Sequence, residues 1–167
     1  ISTNTAVGRS ALATNAIGAS NVAVGDNALN LSTSSNNTAV GAEALASTTT
    51  GQSNTAVGEL ALRSNVAGGF NVAMGGQALY SNTSGTDNVA YGYLALSENL
   101  ASSNNTAIGH QALRYTTALD NTAVGHFAGE SNSTGINNVF IGRNAQGVAA
   151  GSNNTVTLGN SSITTLR

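Results

Sequence analysis

A five-residue unit, Asn-(Thr/Val)-Ala-(Val/Ile/Met/Tyr)-Gly, recurs from one end of the chain to the other. It stands at Asn4 to Gly8, Asn21 to Gly25, Asn37 to Gly41, Asn54 to Gly58, Asn71 to Gly75, Asn88 to Gly92, Asn105 to Gly109 and Asn121 to Gly125. Two degenerate copies follow, Asn138-Val139-Phe140-Ile141-Gly142 and Thr155-Val156-Thr157-Leu158-Gly159. The steps between closing glycines are 17 residues, with two of 16. The central residues are β-branched and alternate, which predicts a strand too short to be a helix. Thr or Val at the second position and Val or Ile at the fourth point one way; Asn, Ala and Gly point the other.

After each Gly and two intervening residues comes a second apolar pair. It reads Ala11-Leu12, Ala28-Leu29, Ala44-Leu45, Ala61-Leu62, Ala78-Leu79, Ala95-Leu96 and Ala112-Leu113, then decays to Ala128-Gly129, Ala145-Gln146 and Ser162-Ile163. Seven or eight residues of mostly Ser, Thr, Asn and Gly lead back to the next Asn and read as loops that absorb both one-residue contractions. Asn15-Ala16-Ile17-Gly18 falls out of phase in the first of these, as loop or as a decayed extra strand. One strand, a bend, a second short segment and a return make one rung of a parallel β-solenoid. The expected fold is all-β, a single repeat domain of ten coils over residues 1–167.

Like residues then stack in columns. Asn21, Asn37, Asn54, Asn71, Asn88, Asn105 and Asn121 form an expected ladder, each amide bonding above and below. Gly25, Gly41, Gly58, Gly75, Gly92, Gly109 and Gly125 mark a position needing positive φ or close backbone approach. Both columns are read as structural. One Val, one Leu and two Ala per coil are a small apolar complement for ordering 17 residues, so a second apolar face packed on other copies is expected.

Composition narrows the function. The chain of 167 residues holds no Cys, Pro, Trp or Lys, and its five Arg and seven acidic residues give a net charge of −2. That excludes a disulfide scaffold or thiolate metal site and argues against nucleic acid as a partner. The longest apolar run is too short to insert into a membrane. Ile1 stands where a complete chain has Met, and the sequence reads as a piece of a longer protein.

Titratable groups are thin for catalysis, and no enzyme activity and no cofactor are expected. Asp26, Glu59, His110, His126 and Arg143 all follow a strand-ending Gly, a position whose variety suggests that it faces water. His110 and His126, in adjacent coils, are expected about 5 Å apart, where they are read as a solvated pair or, on a shared axis, as a metal or anion ring. Glu43 and Glu59 occupy non-equivalent positions in adjacent coils, which disfavours a glycosidase pair. Tyr80, Tyr93, Arg114 and Tyr115 are the best candidates for docking a sugar face, beside Phe70 and Phe127. Tyr91 and Phe140 replace strand residues and read as core or interface fillers. The column Thr5, Val22, Thr38, Thr55, Val72, Val89, Thr106, Thr122, Val139 raises ice binding, though it is single and interrupted.

The Asn-Thr-Ala-Val-Gly strand followed by Ala-Leu resembles the head repeats of trimeric autotransporter adhesins and, equally, shaft repeats of bacteriophage tail fibres and tailspikes. The resemblance covers all ten coils and implies a left-handed β-roll assembled as a homotrimer, intertwined or side by side; the 17-residue period is longer than the usual adhesin-head repeat. Residues 153–167 are similar to the stretch preceding the intramolecular chaperone of phage fibres. The resemblance implies an extracellular, non-enzymatic fibre segment for host-surface attachment on a virion tail. The alternatives are an adhesin head on a bacterial surface that binds glycan or matrix, a filament with no receptor, and an ice-binding solenoid.

Overall fold

A computed structural model describes residues 3–147 and 149–163. Ten three-residue strands form one parallel sheet in chain order: β1 (Thr5–Val7), β2 (Val22–Val24), β3 (Thr38–Val40), β4 (Thr55–Val57), β5 (Val72–Met74), β6 (Val89–Tyr91), β7 (Thr106–Ile108), β8 (Thr122–Val124), β9 (Val139–Ile141) and β10 (Val156–Leu158). Each strand pairs only with its sequence neighbours, as Thr55↔Val72, Ala56↔Ala73 and Val57↔Met74 illustrate. The fold is therefore the parallel solenoid that the repeat predicts, and no helix occurs among the described residues. The two 16-residue steps keep the same register, Val22↔Thr38 and Thr106↔Thr122.

Alternation decides which face is inside. The central Ala of β2 to β8 is fully buried, whereas the residues on either side of it are half-buried or exposed. The core is a thin stack of this Ala, the Ala-Leu pair and the strand-leading Asn. The fourth-position Val, counted above among the residues that offset ordering, lies outside it: Val7 is 59% exposed and Ile108 40%. The period of two leaves one side of the strand for the core, and the small Ala and amide-bearing Asn hold it, with the Leu of the second wall filling the space opposite.

The Ala-Leu pair forms a second wall. The Leu12 amide donates to the Ala28 carbonyl, Leu45 to Ala61 and Leu79 to Ala95, each at 3.0 Å. These leucines adopt left-handed backbone, with φ between 49° and 53° from Leu12 to Leu113. The second residue after the strand-ending Gly, from Ser10 to Asn144, and the residue before the Asn, from Ser20 to Asn137, also have positive φ, as Gln77 (57°) and Phe70 (58°) show. Such corners cost about 1 kcal/mol or more apiece in a bulky residue, and persist because the stacked neighbours fix them.

The segments read as loops are a third wall with its own ladder. The Ser64 amide donates to the Tyr80 carbonyl, Val66 to Thr83 and Phe70 to Gln52. A second column of buried polar residues runs inside this wall: Ser32, Thr48, Asn65, Asn82, Asn99, Thr116 and Asn132. Asn15, half-buried, holds the same position one coil earlier, so the fragment Asn15 to Gly18 is neither stray nor a decayed strand but an early copy of this corner. In the full-length turn Asn65 Nδ2 donates to the Gly68 carbonyl at 2.9 Å. The turn Ser32-Thr33-Ser34 is one residue shorter, and there the Ser32 and Ser34 hydroxyls lie 3.1 Å apart, a shorter side chain matching a shorter turn.

Packing changes near the C-terminal end. Phe140 replaces the core Ala in β9 and is 1% exposed. It fits because Gly129 stands where every earlier coil has Leu: a Cβ on Gly129 would lie 2.6 Å from the Phe140 ring. Residues 164–167, the end of the stretch 153–167 singled out in the sequence, lie outside the described residues.

Candidate functional surface

The Asn ladder is continuous. Oδ1 of each Asn accepts the backbone N–H of the Asn one coil on, from Asn4–Asn21 through Asn54–Asn71 and Asn71–Asn88 to Asn121–Asn138, at 2.9–3.0 Å. Nδ2 crosses the coil interior: Asn54 donates to the Gly68 carbonyl, Asn71 to Gly85 and Asn88 to Ser102. Those same three carbonyls also accept from Asn65, Asn82 and Asn99, so the two buried columns meet on shared acceptors. The amides are thereby satisfied by the fold itself. The strand-ending glycines are equally structural. Gly58 and Gly75 both have φ of 132°, and a Cβ on either would sit 2.7 Å from the carbonyl of the glycine stacked next to it.

The residue after each such Gly faces outward, and its column is chemically uneven. Near the N-terminus Arg9 meets Asp26 in the adjacent coil, Nε to Oδ1 and Nη2 to Oδ2 both at 2.7 Å. The hydrogen bond from Arg9, with its charge, holds the Asp26 carboxyl below its ordinary range, and the same pairing raises Arg9. Further along, Tyr93, His110 and His126 stack: ring centroids are 5.5 Å apart for the first pair and 5.0 Å for the histidines, whose planes differ by 21°. The expected histidine spacing is thus present. Phe127 closes the group, its ring T-shaped to His126 with centroids 4.0 Å apart, a role invisible in the repeat because Phe127 sits one column over. Gly76 lies beneath the stack, its Cβ position 3.4 Å from the Tyr93 ring. Among the described residues no group of three or more His, Asp or Glu is placed to hold a metal ion.

The four sugar-contact candidates do not converge. Tyr80 follows the Ala-Leu pair, with Arg63 of the preceding coil 6.0 Å from its ring centroid. Arg63 is in turn bound to Glu43 at 2.6 Å, an arrangement that raises the arginine. Arg114 lies in the same column as Tyr80 but two coils on, beyond Ser97, and covers the ring of Tyr115 at 4.8 Å. Its Nη1 donates to Gln111 at 3.3 Å. Tyr93 belongs to the histidine stack on the other side of the corner. A shallow depression lies beside these residues, lined by Asn27, Asn30, Leu31, Glu43 and Arg63. Another borders Phe70, which is 65% exposed.

The most extensive feature is the outer face of the sheet. Register places Thr5, Val22, Thr38, Thr55, Val72, Val89, Thr106, Thr122, Val139 and Val156 in one column, and Val7, Val24, Val40, Val57, Met74, Tyr91, Ile108, Val124, Ile141 and Leu158 in another. Neither column contains a charged residue, and in the single chain both are half-buried to exposed. The alternation of the repeat carried the signal for this face; what it could not give was which side the chain keeps for its own core. Comparison with protein-family models, with curated proteins and with solved structures returned no match.

Proposed function

We propose that this chain is a non-enzymatic segment of an extended extracellular fibre that associates with copies of itself, as a homotrimer, and serves attachment to a cell surface in the manner of a phage tail-fibre shaft. What supports this is one observation: ten rungs in unbroken register, with an uncharged face of Thr and largely aliphatic side chains that a lone chain leaves half-buried to exposed. Ten rungs at about 4.8 Å make a rod on the order of 45 Å long. Contiguous apolar area on that scale is characteristic of an interaction surface. Stacked copies would present each weak contact of the corner columns several times over, and multiplicity converts weak contacts into avidity.

Two measurements test the proposal. Sedimentation equilibrium at micromolar concentration is expected to give three times the chain mass, little changed by salt because the mating face is uncharged; a monomer overturns self-association. Binding of the purified assembly to glycan arrays and to whole cells is expected, weakened by Arg114→Ala with Tyr115→Ala. Absence of binding to both overturns the attachment role while leaving the assembly standing.

A further inference from the structure

A repetitive face has a difficulty that an irregular one lacks. Both outer columns advance by one strand per rung, about 4.8 Å, and are built almost wholly from Thr, Val and Ile. Two copies packed face to face that slip by one rung therefore re-form nearly every contact. Register is weakly specified wherever a pattern repeats without a distinguishing element. The area suffices for association: ten rungs and two columns amount to on the order of 500 Å² per copy, so a facing pair buries on the order of 1,000 Å², the threshold for a specific interface. The flanking corner column carries Arg9, Asp26, Glu59 and Arg143, which confines mating to the uncharged strip.

Two consecutive rungs break the equivalence. Met74 and Tyr91 stand in the fourth-position column between Val57 and Ile108, and Tyr91 is 56% exposed, the largest side chain of that column and the one bearing a hydroxyl. We propose that Tyr91, backed by Met74, is the register key by which copies of this chain align when their sheet faces pack in parallel. This rests on the self-association proposed above. In the aligned state the Tyr91 rings lie at one level and share the space between them. After a slip of one rung, each ring opposes Ile108 or Met74, and the partner's ring leaves a gap one rung away; overpacking and cavity formation then act together against the slipped state. A single odd residue in a periodic seam sets the alignment of coiled coils in the same way.

Methyl NMR of the assembled protein with ¹³C-labelled isoleucine tests this, since Ile108 and Ile141 both lie on the face. Wild type is expected to show one signal for each. Y91V is expected to keep the assembled mass and circular dichroism while both signals split into several; Y91F, which keeps the ring, is expected to restore single signals. In mixed-labelled assemblies, contacts from Ile141 of one copy are expected to reach Val124 and Leu158 of another. Single signals in an assembled Y91V, several signals in wild type, or contacts from Ile141 to Val7 and Val24 would each overturn the register key. A monomeric wild type would instead remove the self-association beneath it.

Discussion

At the scale of single residues the fold is held by side chains that polar composition would assign to the surface. Asn71 is fully buried and accepts from the Asn88 backbone, donates to the Gly85 carbonyl and lies 3.2 Å from the Asn54 oxygen. Asn71→Ala removes all three partners and leaves the buried Asn88 N–H without its acceptor. We expect a loss of about 2 to 4 kcal/mol by urea denaturation, against less than about 1 kcal/mol for the half-exposed Thr55→Ala. Phe140 and Gly129 make a second case, an exchange of size between neighbouring coils. Phe140→Ala should cost about 3 to 5 kcal/mol by leaving a cavity, and Gly129→Leu alone should be disruptive because its side chain meets the ring. Combining them restores the Ala and Leu of the other coils. Leu already tolerates the backbone there, since Gly129 has φ of 62° and Leu113 of 49°. The double variant should be more stable than either single one, a coupling that a thermodynamic cycle measures directly.

At the scale of the coil, register is what converts a list of similar segments into a structure. The strand triplets, their columns and the parallel stacking were legible because Asn, Ala and Gly recur at steps of 17 or 16 with alternation between them. The returning segment was not legible as a wall. Its ladder is made by backbone groups, and its buried column varies among Asn, Ser and Thr, so composition alone reads it as solvent-exposed loop. Asn65, Asn82, Asn99 and Asn132, each three residues before Gly or Ser, were the available signal. The histidine stack followed from column position, whereas the separation of Tyr80, Tyr93 and Arg114 did not, because it depends on which corner each column occupies. Coil-to-coil ion pairs add a pH dependence. Arg9 lowers the Asp26 carboxyl, so the pair contributes stability above the ordinary carboxylate pKa and loses it as pH falls through the depressed folded value. Melting temperature should therefore drop below about pH 4. The part due to this pair should be small, since both groups are exposed, absent in Asp26→Asn and screened by 1 M salt.

For the whole molecule, the scarcity of charge has a structural cause. A column repeats its residue at every rung, so a charge placed in it would face its own kind about 5 Å above and below. Charges are accordingly spread along the rod, and two of the arginines meet carboxylates in neighbouring coils. Because β1 and β10 lie at opposite ends of the sheet, tension applied between the chain termini acts along the same direction as the ladder hydrogen bonds. Such bonds are then loaded one rung at a time and peel open, in contrast to strands pulled lengthwise, whose bonds must shear together. Each opened rung frees 17 residues of slack, about 50 Å beyond the height it occupied. Stretched singly in a force microscope, the chain should lengthen in a train of low-force steps of about that size, and a single high-force rupture would contradict it. A lone chain is thus a yielding spring, and in the assembly proposed above stiffness under tension would come from neighbouring copies that carry the load side by side.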